Sequence, residues 1–436
     1  MTKRLLWVVV LSLAALATAR PVAQPAQAAP AIVTFNVNST LDKIDDNVGD
    51  GNCHTATGTC TLRAAVMEAD VATNAGGAII VVPAGIYSLT IPYTGTDGAN
   101  NGDLNLTAGQ PIVIRIVGAG AASTIIDANQ NDRVLTVDAG RTVVISGITL
   151  RDGAVSASYG AGILNQGTLT LDHTTFSGNQ GPNSFGGGFY NNGKLTVVDS
   201  TIGPNNLAFV GGGIGNEGTL TVERSTVYDN IADTGGGIFN KNPHSLTLIN
   251  STVRGNDAAS EGGGIWNNGL AIIYNSTIVF NDAQPDPGAS SAAGGVFSGA
   301  ASVSNLRNSL LAGNVHDNSS DAADCAGSTL HSYGRNLFGT LTPCSVDTPA
   351  GGNWDAINSL FLIGPLQDNG GPTWTHALLA GSNAIDGGDP AQGCVGNNFV
   401  PLATDQRGFP RVVGASCDIG AFEFLPPELY LPMVVR

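Results

Sequence analysis

The sequence is poor in charge, and poorest in cations. Only 12% of its 436 residues are charged, with 18 Lys and Arg against 34 Asp and Glu, giving a formal net charge of −16. No basic cluster occurs, which excludes nucleic acid as a partner, because a phosphate backbone needs Lys and Arg to displace its counterions. An anionic polymer would need a local cationic site. Low charge does not mean disorder here, since apolar residues reach 42%, too many for a chain unable to bury a core. There is no C-x-x-C pair and no clustered histidine with zinc-ligand spacing. G-x-S-x-G, H-E-x-x-H and phosphate-loop motifs are also missing. Outside the first 28 residues no apolar run is long enough to cross a bilayer.

What the sequence has in quantity is glycine, 59 residues, and from 160 to 281 it is placed periodically. GAGI at 160, GGGF at 186 and GGGI at 211, 235 and 262 each precede an asparagine: Asn165, Asn191, Asn216, Asn240 and Asn267. A short apolar alternation follows, then Ser/Thr-Thr, then a second asparagine at 179, 205, 230, 256 or 281. The threonine of that phrase falls at 175, 201, 226, 252 and 277, a step of 25 or 26 residues. Alternation such as Leu169/Leu171 or Leu220/Val222 has the period of a strand, and no helical spacing fits. Short strands at a constant repeat, with no helix between, describe a coil whose turns pair in parallel. The expected fold is all-β: a single-stranded, right-handed parallel β-helix, or solenoid. A β-propeller would need four strands in about 40–45 residues. Coils about 4.8 Å apart would stack equivalent residues in columns. An asparagine amide carries both donor and acceptor, so stacked asparagines can bond one another at a bend.

The ends read differently. Residues 1–28 have the form of a secretory signal: Lys3 and Arg4, an apolar core at 5–17, and A-x-A sites ending at Ala19 and Ala28. An uncleaved anchor is the alternative. Six cysteines suit export, and adjacency favours Cys53–Cys60, Cys325–Cys344 and Cys394–Cys417 among the 15 connectivities open to six. Residues 35–60 form an acidic loop whose Asp42, Asp45, Asp46 and Asp50 are hard-cation ligands in type, without EF-hand spacing. Calcium is the only cofactor suggested; a solvated loop is the other reading. Thr61 reads as the N-cap of an amphipathic helix to about residue 72, placed to plug the open end of a solenoid. Residues 94–109 read as a polar loop, and the last clear coil ends near Asn314.

The stretch VNSTLDKIDDNVGDGNC…CTLRAAVMEAD resembles the CSLREA domain of secreted bacterial proteins, over roughly 35–75. Ala64 stands where that motif has Glu; Arg63 and Glu68 match and are expected to pair as structural ions. Residues 363–424 resemble the bacterial choice-of-anchor Q domain, through DNGGPT, THALL, AIDGGD, DQRGFPR and CDIGAFE. That resemblance implies attachment by a C-terminal anchor. The twelve residues after Phe424 carry no LPxTG signal and read as a last strand or a sorting signal. The expected organisation is signal peptide 1–28, CSLREA-like N-terminal cap with its helix 29–77, β-helix repeats 78–315, choice-of-anchor Q-like C-terminal cap 316–425, and tail 426–436.

Parallel β-helices host pectate and alginate lyases and polygalacturonases, but also adhesins, so the fold leaves function open. Stacking brings Asp172, His173, Asp199, Glu223 and Arg224 toward one patch, the best catalytic candidate in the repeats. Its bland counterpart is an Asp199–Arg224 surface bridge. Asp386, Asp389, Asp405, Arg407 and Arg411 beside glycine turns could bind a ligand, but such pairs more often knit an irregular region together. The expectation is a secreted or cell-surface monomer, not an enzyme, that adheres, binds extracellular polysaccharide or surface glycan, or builds structure. The alternative is a polysaccharide lyase or glycoside hydrolase.

Overall fold

The computed structural model describes residues 31–426, apart from 73–75, 96–97, 108–111, 285–291, 317–322, 348–354, 391–392, 397 and 399. Residues 1–28, expected to be a signal peptide, and the tail beyond residue 426 lie outside the described residues. The chain winds as a parallel β-helix with four faces. One coil shows the pattern: strands Ile163–Asn165, Thr168–Asp172, Thr175–Ser177 and Gln180–Phe185. Stacking such coils gives all-parallel sheets of 9, 12, 11 and 6 strands respectively. The register is strict, with Leu169 beside Leu195, Leu195 beside Leu220, and Leu220 beside Leu246. These leucines, with Ile163 and Phe176, point inward and are fully buried. Each contributes roughly 1.5–3 kcal/mol by leaving water, and together they form one continuous core along the axis.

The bends are held by polar columns. Asn165 Nδ2 donates to Asn191 Oδ1, Asn191 to Asn216, Asn216 to Asn240, and Asn240 to Asn267, each at 2.7 Å. Asn267 ends the column on Ser304 Oγ at 2.8 Å. A second column runs Asn179, Asn206, Asn230, Asn256, Asn281 and Asn314. Its member in the second coil is Asn206, not Asn205. Pro204 takes up one residue there, and Asn205 is turned into the left-handed region with φ 62°. All these amides point the same way, so their dipoles add. The second column ends on Asp324, whose Oδ1 accepts from both the backbone and side-chain nitrogens of Asn314. A third column, of hydroxyls, bonds the backbone N–H of Thr174 to Ser200, Ser200 to Ser225, and Ser225 to Ser251.

The solenoid is longer than its strict repeat. It starts at Ile32–Asn36, which pairs with Gly77–Val82, and the supposed loop at 94–109 contains a strand, Leu104–Leu106. Coils continue past residue 315 to Ala356–Ile357. Insertions break the sequence period there, but Cys325 and Leu330 still fill the core. The three disulfides are Cys53–Cys60, Cys325–Cys344 and Cys394–Cys417.

At the N-terminal end a helix, α1 (Leu62–Val71), lays Leu62, Ala65, Val66 and Ala69 onto the core. Thr61 caps it, accepting from the Ala64 N–H at 3.1 Å. Arg63 and Glu68 do not pair with each other. Arg63 is buried against Asp42 and four backbone carbonyls, while Glu68 accepts the N–H groups of Gly49 and Gly51. They lie five residues apart, about 140° around an α-helix, so the two side chains leave from different faces and each finds its partners in the preceding or following loop.

The C-terminal region from about 361 lies along the flank of the coils, whereas a cap would close their end. Leu378, Ala384, Ile419 and Phe422 pack on Val279, Leu310, Ala312 and Leu337, outward-facing residues of the 11-stranded sheet. In earlier coils the equivalent outward positions are Thr175, Ser177, Thr201 and Thr226. The covered stretch begins at Thr226 and Thr252, buried threonines that bond the Trp374 carbonyl and the Gln406 side chain, and turns apolar at Val279, Leu310, Ala312 and Leu337.

Candidate functional site

The corner between the 12-stranded and 11-stranded sheets carries the charged residues. His173, Asp199, Arg224, Asn250, Asn275 and Asn308 occupy one column, all with φ between 46° and 51°. Non-glycine residues rarely adopt this left-handed conformation, and Asn and Asp adopt it most readily. Asp172 and Glu223 sit one residue earlier, in the last position of their strands, with Val198 between them in register.

Arg224 dominates the patch. Its Nε and Nη2 donate to the two carboxylate oxygens of Asp199 at 2.9 and 2.8 Å, and Nη1 donates to Glu223. The Asp199 hydrogen bonds, above all, hold the Arg224 guanidinium above its ordinary pKa. His173 Nδ1 lies 2.7 Å from Asp172 Oδ1 on the open surface. A lyase base must give up its proton, and a guanidinium clamped by two carboxylates is held in the opposite state. Asp172, His173 and Asp199 each place a ligand atom within 4.8 Å of the others. A metal ion there would compete with Arg224 for Asp199.

In the next coils the same corner takes another role. The amides of Asn250, Asn275 and Asn308 donate to the carbonyls of Thr404, Val395 and Asp418 at 2.8, 2.7 and 2.9 Å. Thr373 Oγ1 donates to the Arg224 carbonyl at 3.1 Å. The column is therefore charged and open at one end and docks the C-terminal region at the other.

The acidic loop does not gather its four carboxylates. Asp42 is buried, accepting from Arg63 and from the N–H groups of Thr90 and Ile91. Asp45 caps the N–H groups of Asn47 and His54, and Asp50 that of Asn52. The grouping with metal-ligand spacing is instead Asp45, Asp46 and His54.

In the C-terminal region Asp405 and Arg407 form a fully buried pair at 2.7 Å. The Arg407 guanidinium lies 3.5 Å from the centre of the Phe422 ring. Burial, with Asp418 nearby, pushes the Glu423 carboxyl up to about 8, and burial pushes Asp418 up to about 6. Arg411 is buried beside them. Asp389 reaches outward to Arg307 at 3.0 Å, and Asp386 accepts the Ser416 N–H. These acids and bases are spent on one another and on backbone groups.

Residues outside the sequence-derived patch form a cleft of about 390 Å³ between the hairpin Ile363–Gln367/Thr375–Leu378 and the coils. Tyr228, Asp229, Arg254, Phe280, Trp374 and His376 line it. Its trace in the sequence is slight: the position of Tyr228 and Arg254 is Ser177 and Gly203 in the two preceding coils but Arg151 in the coil before those.

No family model matches the chain, and no curated protein matches it. Among solved structures, the crystal structure of pectate lyase Pel9A is similar with a TM-score of 0.43 and 17% sequence identity, over 90% of this chain and 97% of that one.

Proposed function

We propose that the protein is a non-catalytic, extracellular β-helix that binds saccharide through its stacked outer surface. The observation that carries this reading is the state of Arg224, bound by Asp199 and Glu223 together. The charge at this corner is thereby a clasp between two coils. Three disulfides support an oxidising location. No helix among the described residues is long and apolar enough to cross a membrane. On this reading 1–28 directs export, residues 29–77 are the CSLREA-like cap, 316–425 belong to the choice-of-anchor Q type, and the chain acts as a monomer at or beyond the cell surface.

Purified protein tested on acidic and neutral polysaccharides separates this from the lyase or glycosidase reading. Binding without bond cleavage is expected, unaltered in Glu223→Gln and Arg224→Ala. Turnover that disappears in either variant would replace the proposal with catalysis at the corner patch.

A further inference from the structure

We propose that the cleft between the C-terminal hairpin and the coils is a subsite for a neutral saccharide, with the sugar ring on Trp374 and its hydroxyls on Arg254 and His376. The subsite rests on the saccharide-binding reading above and gives it a location.

The cleft volume, about 390 Å³, falls in the range of small-ligand sites. Its aromatic element is fixed but uncovered. Trp374 is 49% exposed, although its carbonyl accepts from Thr226 Oγ1 at 2.7 Å and Gln406 Nε2 at 3.3 Å. Its ring lies 6.1 Å from that of Tyr228, tilted by 38°. An exposed indole on an anchored stretch of backbone, beside a second aromatic ring, offers a flat platform. The C–H face of a pyranose matches such a platform, whereas its hydroxyls need polar partners at the rim.

Those partners are present and unused. His376 is only 4% exposed, and its Nδ1 donates to the Gly364 carbonyl at 2.7 Å. That bond places the proton on Nδ1 and leaves Nε2 as an acceptor, which has no partner among the described residues. Burial first, and the Arg254 charge after it, lower the His376 pKa, so the ring stays neutral and Nε2 stays an acceptor. Arg254 bonds Asp229 through Nη1 at 2.8 Å, but its buried Nε–H is unpartnered. One orphaned donor and one orphaned acceptor thus line the same cleft. Buried polar groups without partners are rare in proteins, and a hydroxyl, which both accepts and donates, satisfies either kind.

Charge selects among saccharides. The single cation, Arg254, is offset by Asp229, and the whole chain carries −16. A uronate polymer would meet repulsion without a free positive partner. Neutral hexoses and pentoses meet none.

The test uses the full-length protein and five tetrasaccharides: β-1,4-linked glucose, mannose, galactose and xylose, and tetragalacturonate as the charged counterpart. Tryptophan fluorescence and calorimetry read binding, and the melting temperature confirms that each variant is folded. At least one neutral tetrasaccharide is expected to bind. Trp374→Ala, a change at a half-exposed position, should weaken it about tenfold or more. Arg254→Lys keeps the pairing with Asp229 but lacks the Nε–H, and should weaken it about threefold. The proposal is overturned if no neutral tetrasaccharide binds, if tetragalacturonate binds more tightly than all of them, or if Trp374→Ala binds as wild type does. In the last case saccharide binding itself survives and only this cleft is lost. A protein that retains no polysaccharide of any kind would remove the broader reading as well.

Discussion

Between Asn165 and Asn267 each buried amide bonds an identical amide one coil away, whereas between Asp405 and Glu423 no two buried polar groups play the same part. In the coils, one residue type solves the bend and repetition multiplies the solution. Each Asn satisfies a neighbour's acceptor with its own donor, and nothing in the column titrates. The C-terminal region instead balances Asp405, Asp418 and Glu423 against Arg407 and Arg411 beneath a covering of Ile419 and Phe422. With all five charged, the cluster holds three negative charges and two positive. A proton retained on Glu423 cancels the excess, which agrees with the direction in which its pKa is displaced. Translational symmetry lets the first arrangement tolerate length; the second depends on every member.

Removing a member should show the contrast most strongly. Arg407→Leu leaves Asp405 buried without its counter-ion, and should cost about 3–5 kcal/mol. Limited proteolysis is expected to release the region after 360 while the coils keep their far-UV signal. Simultaneous loss of both would erase the distinction. Within the coils, Asn216→Leu strands the Asn191 donor and the Gly218 N–H. It should lower stability by about 1–3 kcal/mol in chemical denaturation. A neutral result would mean the column is ornamental to stability.

The smallest effect is pH. A carboxyl whose folded pKa is raised, here from 4.5 to about 8, holds its proton more tightly folded than unfolded. Its contribution is complete below the unfolded pKa and is lost as pH climbs through the folded value. Going from pH 7 to 9 should therefore weaken the C-terminal region by about 1 kcal/mol. The melting of a Glu423→Gln variant should not follow pH over that interval. Equal pH sensitivity in that variant would assign the titration elsewhere.

How much could be read beforehand depended on repetition. The parallel coil follows from Thr175, Thr201, Thr226, Thr252 and Thr277 recurring at one interval, because only stacking brings residues so far apart into register. Where the interval breaks, reading fails. Pro204 shifts the bend from Asn205 to Asn206, and the coils from Cys325 to Ile357 carry no countable period. The lateral position of the C-terminal region had a partial trace in the sequence, outward Leu310 and Leu337, while Thr226 and Thr252, covered as well, gave none. It reads as flank burial only once the sheet containing them is known. The corner patch was visible as charges one period apart, but not its internal pairing, since Arg224 could face Asp199, Glu223 or solvent. The cleft was hidden because Arg254 and His376 are 122 residues apart and share no motif.

The way the C-terminal region lies on the flank has a consequence for how the molecule comes apart. A solenoid ordinarily unravels from its ends, one turn at a time, since each turn touches only its neighbours. Here Thr373 grips the turn at Arg224, Thr404 the turn at Asn250, Val395 the turn at Asn275 and Asp418 the turn at Asn308. Four consecutive turns are stitched into one block by a segment that follows them in the chain. Fraying from that end cannot advance until the stitch is undone, so a pull on the C-terminus meets a single large barrier instead of a series of small ones.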